Sequence, residues 1–600
     1  MKKTRLFSLA LAALMLGACS SEDIVVNEGD VAPGEKGFVS FSFNLPTTPS
    51  TRANDNFEDG LPVEYNVKDA TLLLFAGDTE KGATFQSAYD LTLPPAENVN
   101  YNVTTRYTII KDIEKPQSGN IYALVILNGK NSGVISNSGD SWTLNGEALT
   151  SNGTTFESLY TTARSLDVAQ IANTSDDGYF LMTNAPMFTA PGGAIAPSGN
   201  VQTLSVIDRD RIYGTKEEAK ANPATDIYCE RAVAKVTVTD ETNHQAVSGT
   251  QIASYTFDGW TLDITSKQSY FVRNVDCTDA SWWTYKANES NDYRFVGSVG
   301  LTNTATQTLY RTYWAKDPTY ATGWNSSDTV DINNFNTTIN KIPTSPLTAM
   351  GGNAYCLENT FNVANQNQNQ TTRVVVAAKL EVNGADQASG SFFILNDNKD
   401  VIYDSEDDIK TIVTTAYLNV PAVRQFLTTA LQKGQKLENS DLNVTFSQSG
   451  AGYWDVAKIE VNESAASKFD SGVIPEELKE GNELYRNALA SVNADYNIAY
   501  YAGGVSYYGA RIRHFDEAQT PWTEEGKTDN SYPEPKAEEN YLGRYGVLRN
   551  NWYEVNVTAI KNIGSPIPDE VYGQDDPLEK WISVRINVLS WAKRTQDVEL

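Results

Sequence analysis

The side chains that most often do chemistry are scarce in this chain. It contains two histidines, His244 and His514, and neither lies in a recognisable motif, although a Ser-His-Asp triad would need one of them. The sequence also lacks the Gly-x-x-x-x-Gly-Lys-Ser/Thr phosphate loop, the Gly-x-Ser-x-Gly elbow and the His-Glu-x-x-His zinc helix. We therefore expect no catalytic site, and we interpret each histidine as a surface or strand residue.

One acidic loop carries oxygen ligands at the spacing of a calcium site. In "NDNKDVIYDSED", Asn396, Asn398 and Asp400 match the first ligands of an EF-hand. The sixth position is Val401, where the sharp turn requires Gly, and the twelfth is Asp407 rather than Glu. A hairpin turn after the apolar "FFIL" explains the loop better, and the sequence predicts no metal and no cofactor.

Aromatic and cysteine residues leave two questions open. The stretch Ser281–Tyr285 ("SWWTY") and the 31 tyrosines would suit stacking on sugar rings, but strands also use aromatic side chains in their cores. Cys229, Cys277 and Cys356 show no zinc spacing. Either one disulfide forms, with Cys229–Cys277 the nearest pair in sequence, or all three are buried thiols.

The remaining cysteine ends a secretory signal. A basic start is followed by the apolar run Leu6–Leu16 and then by "LGAC", which ends at Cys19. This segment is too short to span a membrane and is typical of a signal peptide over residues 1–18. Leu-x-Ala-Cys resembles the bacterial lipobox, which implies that Cys19 is acylated and becomes the new N-terminus.

Charge and composition narrow the class of protein. Acidic side chains outnumber basic ones 75 to 47, which gives a net charge of −28, and Lys and Arg form no basic cluster. Such a surface repels nucleic acid and anionic lipid. The 600 residues are 40% apolar and 10% aromatic, enough for sizeable cores, and this length predicts two or more domains.

Hydrophobic patterning predicts an all-β fold built from sandwiches, because short β-rich runs closed by turn residues recur along the chain. The runs are Thr71–Gly77, Asn120–Gly129, Tyr179–Ala190, Arg231–Asp240, Ser254–Ile264, Arg373–Val382, Ser391–Leu395, Val505–Phe515, Asn551–Ile560 and Trp581–Trp591. Helices are predicted at about Ser158–Ala172 and after Asn419, with Pro421 in the first turn and Gly434 at C′. The polar stretch Asp240–Gln251 predicts a boundary between domains 53–245 and 246–600.

Both ends of the chain carry well-patterned strands. Near the start, Val39, Phe41, Phe43 and Leu45 alternate with polar residues, and a Thr/Ser/Pro-rich run with one arginine, Arg52, follows, as a protease site is presented. Near the end of the chain, apolar side chains again share one face of a strand, and two further apolar residues lie in the last few positions. These C-terminal residues are Ile582, Val584, Ile586, Val588, Val598 and Leu600.

Several blocks of sequence, in order, resemble the fimbrillins of Bacteroidetes type V pili, most closely the Mfa-type (minor) fimbrillin family. The blocks are "LGAC", "FVSFSFNLP…STRA", "ERAVAKVTV", "GGVSYYGARI", "YGVLRNNWYEVNVTAIKNIG" and "WISVRINVLSWAKRTQDVEL". The resemblance spans nearly the whole chain except for about Thr265–Tyr500.

The resemblance implies two transthyretin-like Greek-key β-sandwich domains with a few short helices, the C-terminal domain being larger. It implies a lipoprotein precursor at the outer membrane that an arginine-specific protease cleaves between Arg52 and Ala53. The propeptide 19–52 then leaves with its strand, and the donor strand of a neighbouring subunit, about residues 581–600, fills the groove. The strand residues named above near the start of the chain would belong to the removable strand, and those near the end would belong to the donor strand.

The function implied is that of a shaft subunit of a surface fimbria that supports adhesion and biofilm formation. Its partners would be other copies of itself and related fimbrial subunits, with host proteins or glycans as further candidates. The alternatives are a pilus tip adhesin or a monomeric surface lipoprotein that binds glycan or host protein. The sequence also leaves open whether the last strand is donated or stays in its own sandwich.

Overall fold

The computed structural model describes residues 31–46, 61–94, 97–99, 103–189, 201–275, 296–302, 308–323, 331–343, 346–361, 370–448, 452–515, 520, 542–568 and 582–590. Strands dominate these ranges, and they form several sheets around separate hydrophobic cores. The all-β class predicted from the sequence is confirmed.

The first part of the chain, up to Arg231, consists mainly of short strands. These are β1 (Lys36–Pro46), β2 (Ala70–Gly77), β3 (Thr84–Asp90), β4 (Glu97–Val99), β5 (Val103–Glu114), β6 (Asn120–Leu127), β7 (Ile135–Ser138), β8 (Ser141–Leu144), β9 (Glu147–Leu149), β10 (Ala163–Ser165), β11 (Ala172–Asn173), β12 (Tyr179–Phe180), β13 (Met182–Asn184), β14 (Met187–Phe188), β15 (Val201–Gln202), β16 (Ser205–Ile207) and β17 (Thr225–Arg231). The helices here are α1 (Phe156–Thr161), α2 (Val168–Ile171) and α3 (Lys216–Ala221).

The second part of the chain has longer strands and longer helices. The strands are β18 (Ala234–Asp240), β19 (Ile252–Asp263), β20 (Thr265–Ser266), β21 (Gln268–Tyr270), β22 (Val296–Thr302), β23 (Thr308–Thr312), β24 (Phe335–Asn336), β25 (Asn353–Cys356), β26 (Arg373–Val382), β27 (Phe392–Leu395), β28 (Leu442–Gln448), β29 (Tyr453–Val461), β30 (Ile498–Tyr501), β31 (Val505–Arg511), β32 (Asn551–Ile560) and β33 (Ile582–Ser590). The helices are α4 (Glu406–Asn419), α5 (Pro421–Ala430) and α6 (Glu483–Asp495).

A nine-stranded sheet organises the first part. Its order is β3-β2-β6-β13-β17-β1-β5-β4, and β16 pairs with β6 outside this path. Apolar side chains of β1, β2 and β6 belong to one core, including Phe41, Leu72 and Leu124, which are fully buried. The strand near the start of the chain therefore occupies an interior position of the sheet.

Two sheets packed around a second core form a sandwich in the second part. One has the order β25-β18-β32-β33 and the other β19-β26-β31. Val236 of β18, Val555 of β32 and Val376 of β26 are buried in the core that the two sheets share. The chain leaves the first sheet at Arg231 and enters this sandwich at Ala234, whereas the predicted boundary at residue 245 lies between β18 and β19.

A helical layer covers part of this sandwich. The sheet β27-β30-β29-β28 contributes Phe392 to the sandwich core on one face and Phe393 to a separate core on the other. Helices α4, α5 and α6 bury one face each in that separate core, with Val413 of α4 and Val423 of α5 fully buried. The sequence predicted only the middle helix of the three.

The two predicted helices differ from the observed ones. The helix expected at about Ser158–Ala172 is divided into α1 and α2, because residues of β10 between them pair with β21. The helix expected to end at Gly434 stops at Ala430, since Leu431 is extended and bridges to Phe469. In both cases pairing with a distant strand or segment overrides the local helical pattern.

Candidate assembly site

Strand β1 is hydrogen-bonded on both of its edges. It runs antiparallel to β5 over most of its length, with Phe41 opposite Ile109, and parallel to β17, with Phe41 opposite Thr225. Its beginning is held by reciprocal backbone hydrogen bonds between Phe38 and Tyr213, at 2.7 and 2.9 Å. Removal of β1 would leave the facing edges of β5 and β17 without these partners.

The inward face of β1 fills the first core. Val39, Phe41, Phe43 and Leu45, the residues predicted to form the removable strand, are all 0% exposed and belong to this core. Burial of an apolar side chain of this size is worth about 1.5–3 kcal/mol, so the four together contribute roughly 6–12 kcal/mol. This range is comparable to the whole free energy of unfolding of a typical domain, about 5–15 kcal/mol.

The outward face of β1 is polar but equally buried. Ser40, Ser42 and Asn44 are at most 3% exposed, and Lys216 Nζ of α3 lies 5.5 Å from the centre of the Phe38 ring on the same side of the strand. The Ser42 and Thr108 hydroxyls are 3.1 Å apart, and Asn44 Nδ2 donates to Asp226 Oδ1 at 3.4 Å. Any strand that replaces β1 therefore needs apolar side chains on one face and polar side chains that fit a closed, partly acidic lining on the other.

The C-terminal strand β33 lies at the edge of the second sandwich. Among the strands that the structure describes, it pairs with β32 alone, in antiparallel orientation, and its register places Ile582, Val584 and Val588 opposite Ile560, Val557 and Tyr553. The Ile586 side chain is buried at 7% exposure in the sandwich core. In this structure the first half of the predicted donor segment thus completes the chain's own sheet.

Residues 499–597 match the family model described as "Major fimbrial subunit protein type IV, Fimbrillin, C-terminal". This C-terminal region is similar to fimbrillins. The match begins within β30 and covers β31, β32 and β33, so the fimbrillin region contains the edge strand just described. The resemblance to fimbrillins inferred from the sequence is confirmed.

Comparison with solved structures finds fimbrial proteins at low sequence identity and low structural similarity. A fimbrilin from Porphyromonas gingivalis W83 is 12% identical, with 93% of this chain and 99% of that chain covered and a TM-score of 0.35. A fimbrial assembly protein from Parabacteroides distasonis ATCC 8503 is 9% identical, with 58% and 84% covered and a TM-score of 0.25. No curated protein sequence matches this chain.

Several predicted site residues of this fimbrillin-related chain lie outside the described residues. They are the lipidation residue Cys19, the cleavage pair Arg52 and Ala53, and the terminal donor residues Val598 and Leu600. The aromatic stretch Ser281–Tyr285 and Cys277 also lie outside them. The proposed roles of all these residues stay predictions.

A buried ionic cluster joins the two parts of the chain. Glu64, just before β2, is 2.8 Å from Lys235 Nζ of β18 and accepts a 2.6 Å hydrogen bond from the Tyr355 hydroxyl of β25. Burial raises the pKa of Glu64, but Lys235 and Arg231 outweigh this effect and hold its pKa below the usual value. Lys235 also lies 3.8 Å from the centre of the Trp552 ring. The cluster therefore anchors the segment that follows the predicted cleavage site to the fimbrillin region.

The two histidines and the acidic loop make contacts within the fold. His514 is buried, with one ring nitrogen 2.7 Å from the Tyr553 hydroxyl, while His244 lies 2.8 Å from Asp240 and is partly exposed. Around the acidic loop, Phe393 and Tyr403 exchange backbone hydrogen bonds in an isolated antiparallel bridge, and Asp407 lies in the first turn of α4. Among the described residues, no group of three or more His, Cys, Asp or Glu side chains could hold a metal ion.

The sequence also raised the state of the cysteines and the presence of membrane-spanning segments. Cys229 and Cys356 are buried free thiols, and burial raises the pKa of both. Across the part of the chain that the structure describes, no helix is long and apolar enough to cross a membrane.

The residues lining the outward face of β1 were missed by sequence reasoning. Asp226 and Thr108 come from β17 and β5, which the sequence did not pair with β1. The one signal was an aspartate inside an otherwise strand-like run, "TDIYCER".

Proposed function

We propose that this protein is a structural subunit of a cell-surface fimbria, exported as a lipoprotein and polymerised by strand exchange after cleavage at Arg52. One observation carries the proposal. β1 is an interior strand, buried on both faces, and the predicted cleavage site follows it in the sequence. Cleavage there cuts the covalent link between a core strand and the rest of the domain.

Cleavage at Arg52 would remove the covalent connection between β1 and the rest of the domain, but it would leave the contacts of β1 unchanged. While β1 is tethered, its effective concentration at the groove is on the order of millimolar, and it returns whenever it leaves. Once cut, a strand that dissociates is diluted away, and the groove between β5 and β17 is open to another strand. The four apolar residues of β33 would replace part of the apolar burial that is lost with β1, although two of the side chains that they replace are the larger Phe41 and Phe43.

This scheme gives the subunit two states. In the precursor, β1 fills the groove and the chain is monomeric. In the mature subunit, the C-terminal segment of a second copy occupies the groove, and the Glu64–Lys235 pair keeps the new N-terminal segment attached to the sandwich. A fimbria built in this way would support adhesion and biofilm formation.

The test is to treat purified precursor with an arginine-specific protease and examine the product by size exclusion and electron microscopy. We expect fibres from the wild type and a monomer from Arg52→Ala, which removes the cleavage site. A matched variant that ends before Pro577 should be cleaved at Arg52 and form no fibres, whereas an unfolded product would show that β33 is required by its own sandwich. A wild-type product that loses β1 but stays monomeric would contradict the proposal and favour a tip adhesin or a monomeric lipoprotein.

A further inference from the structure

The segment that connects β16 to β17 is bound to β1. It spans residues 208–224 and contains helix α3. Among the described residues, the backbone hydrogen bonds that this segment makes to other parts of the chain all go to β1. Phe38 and Tyr213 exchange two of them, at 2.7 and 2.9 Å, and the Ala224 amide donates to the Ser40 carbonyl at 2.7 Å. Loss of β1 would therefore remove all three.

Side-chain packing joins the same two parts of the chain. Ile212 is 2% exposed and belongs to the first core, and a Cβ atom at Gly37 of β1 would lie 2.7 Å from its Cγ2 atom. Lys216 Nζ lies over the Phe38 ring, at the 5.5 Å distance given above. Residues 214–217 are otherwise exposed. Without β1, this part of the segment would be a polar connection with few contacts, which is the kind of backbone that opens locally.

Arg211 lies in this segment, directly before Ile212. Its side chain is 31% exposed, and its Nη1 atom donates to the Pro223 carbonyl of the same segment at 2.5 Å. The peptide bond after Arg211 leads into the buried Ile212 and then into Tyr213, which is paired with β1. A protease cuts backbone that is accessible or has opened locally, so this bond is protected while β1 is in place.

The other arginines whose side chains the structure describes are protected by contacts outside β1. Eight are buried: Arg164, Arg231, Arg273, Arg373, Arg511, Arg513, Arg544 and Arg549. The two exposed ones, Arg424 and Arg486, lie within helices α5 and α6. Arg311 lies in β23, which is paired on both edges, and Arg209 Nη2 donates to the Pro116 carbonyl at 2.9 Å. Arg211 is thus the described arginine whose protection depends on β1.

We propose that Arg211 is a second site for the arginine-specific protease, accessible only in a subunit that has lost β1 and has not yet received a donated strand. The proposal rests on the strand exchange proposed above. Hydrolysis adds one water across the Arg211–Ile212 amide and leaves a carboxylate on Arg211 and an amine on Ile212. A donated strand gives Tyr213 and Ala224 new backbone partners and closes the site. The protease therefore cuts unassembled subunits and spares assembled ones.

The first experiment follows the second cut in protein already cleaved at Arg52. Dilution delays the arrival of a second copy, so fragments 53–211 and 212–600, identified by mass spectrometry, should form in dilute protein. In fibres they should form roughly tenfold more slowly or less, because three backbone hydrogen bonds are restored. An excess of a synthetic peptide of residues 31–52 should refill the groove and suppress the cut. A peptide of the same composition in scrambled order should not.

The second experiment does not require strand exchange. It uses the uncleavable precursor Arg52→Ala, in which Phe38→Pro removes the amide that donates to Tyr213. Loss of one backbone hydrogen bond should raise the rate of cutting at Arg211 by about two- to tenfold. Phe38→Val keeps the amide and should leave the rate unchanged. Adding Arg211→Lys to Phe38→Pro should abolish the cut, whereas adding Arg209→Lys should not.

The outcomes separate this inference from the proposed function. If cleaved wild type forms no fibres, strand exchange is wrong, and the Phe38→Pro precursor still decides whether β1 protects Arg211. If fibres form but dilute cleaved protein stays intact at Arg211, or is cut only at Arg106 of β5, the second site is wrong while strand exchange stands. Fibres or intact precursor cut at Arg211 as fast as dilute cleaved protein would likewise overturn the inference.

Discussion

At the scale of single residues, the most consequential pair is Glu64 with Lys235. Both are buried, their charged groups are 2.8 Å apart, and they connect the first sheet to the second sandwich. Lys235→Met should lower the free energy of unfolding by roughly 3–5 kcal/mol, because it removes the ion-pair partner of a fully buried carboxylate. Urea unfolding would measure the change.

The control for this prediction is an exposed ion pair. Lys458 lies 2.6 Å from Glu480 with both side chains largely in solvent, so Lys458→Met should leave the unfolding midpoint unchanged within error. Equal effects of the two variants would contradict the assigned role of the buried pair.

A second residue makes stability depend on pH. Asp317 is fully buried and accepts hydrogen bonds from the Thr319 amide and the Ser266 hydroxyl, at 2.8 and 3.1 Å. Burial raises the pKa of Asp317 from 3.8 to about 7. Between these two values the folded chain holds the proton and the unfolded chain does not, so the free energy of unfolding falls as pH rises through this window.

Asp317→Asn should remove this component of the pH dependence. The amide keeps an acceptor for Thr319 and cannot ionise, so the variant should gain stability relative to wild type as pH rises from about 4 to about 7. Thermal unfolding at pH 4.5 and pH 7.5 would measure the difference, and a gap between the two proteins that does not change with pH would refute the assignment.

At the scale of elements, β1 should matter to the precursor and not to the polymer. Phe41 is fully buried on β1, and Phe41→Ala should destabilise the precursor by about 3–5 kcal/mol. Once β1 has been exchanged, the same substitution should leave the stability of the fibre unchanged. Chemical unfolding of precursor and of fibre, measured side by side, would check this.

Phe75 of β2 provides the matched control. It is also fully buried in the first core, but it lies beyond the cleavage site and stays in the mature subunit. Phe75→Ala should destabilise precursor and fibre alike. A fibre weakened by Phe41→Ala as much as by Phe75→Ala would show that β1 is retained.

The elements that the sequence predicted well are those whose signal is local. The apolar runs at Arg373–Val382 and Asn551–Ile560 coincide with β26 and β32, because alternating or continuous apolar residues bounded by turn residues specify a strand by themselves. Helix α4 was missed because its Ile, Val and Thr residues look strand-like, although Ser405 caps it and three acidic residues fill its first turn.

Only one part of the candidate site, strand β1 itself, could be predicted from the sequence. The alternation of β1 showed that it needs a sheet, but its neighbours β5 and β17 are set by pairing between residues far apart in sequence. The acidic lining at Asp226 depends on that pairing and so could not be anticipated. The place of β33 at an edge of its own sandwich likewise follows from its pairing with β32 and not from its alternation.

At the scale of the whole molecule, the proposed function gives one strand position a role in both folding and assembly. The precursor satisfies its first core with its own β1, while an edge strand at the other end of the chain carries the same side-chain pattern. Under the proposed function, proteolysis between β1 and the rest of the domain would convert a self-sufficient monomer into a subunit that needs a second copy.

The most direct test of this account is the N-terminal residue of the protein in its assembled form, read by mass spectrometry of fibres taken from the native cell surface. The account predicts that the chain begins at Ala53 and that no peptide containing Val39–Leu45 remains in the fibre. Fibres whose subunits begin at Cys19 and retain Val39–Leu45 would contradict it.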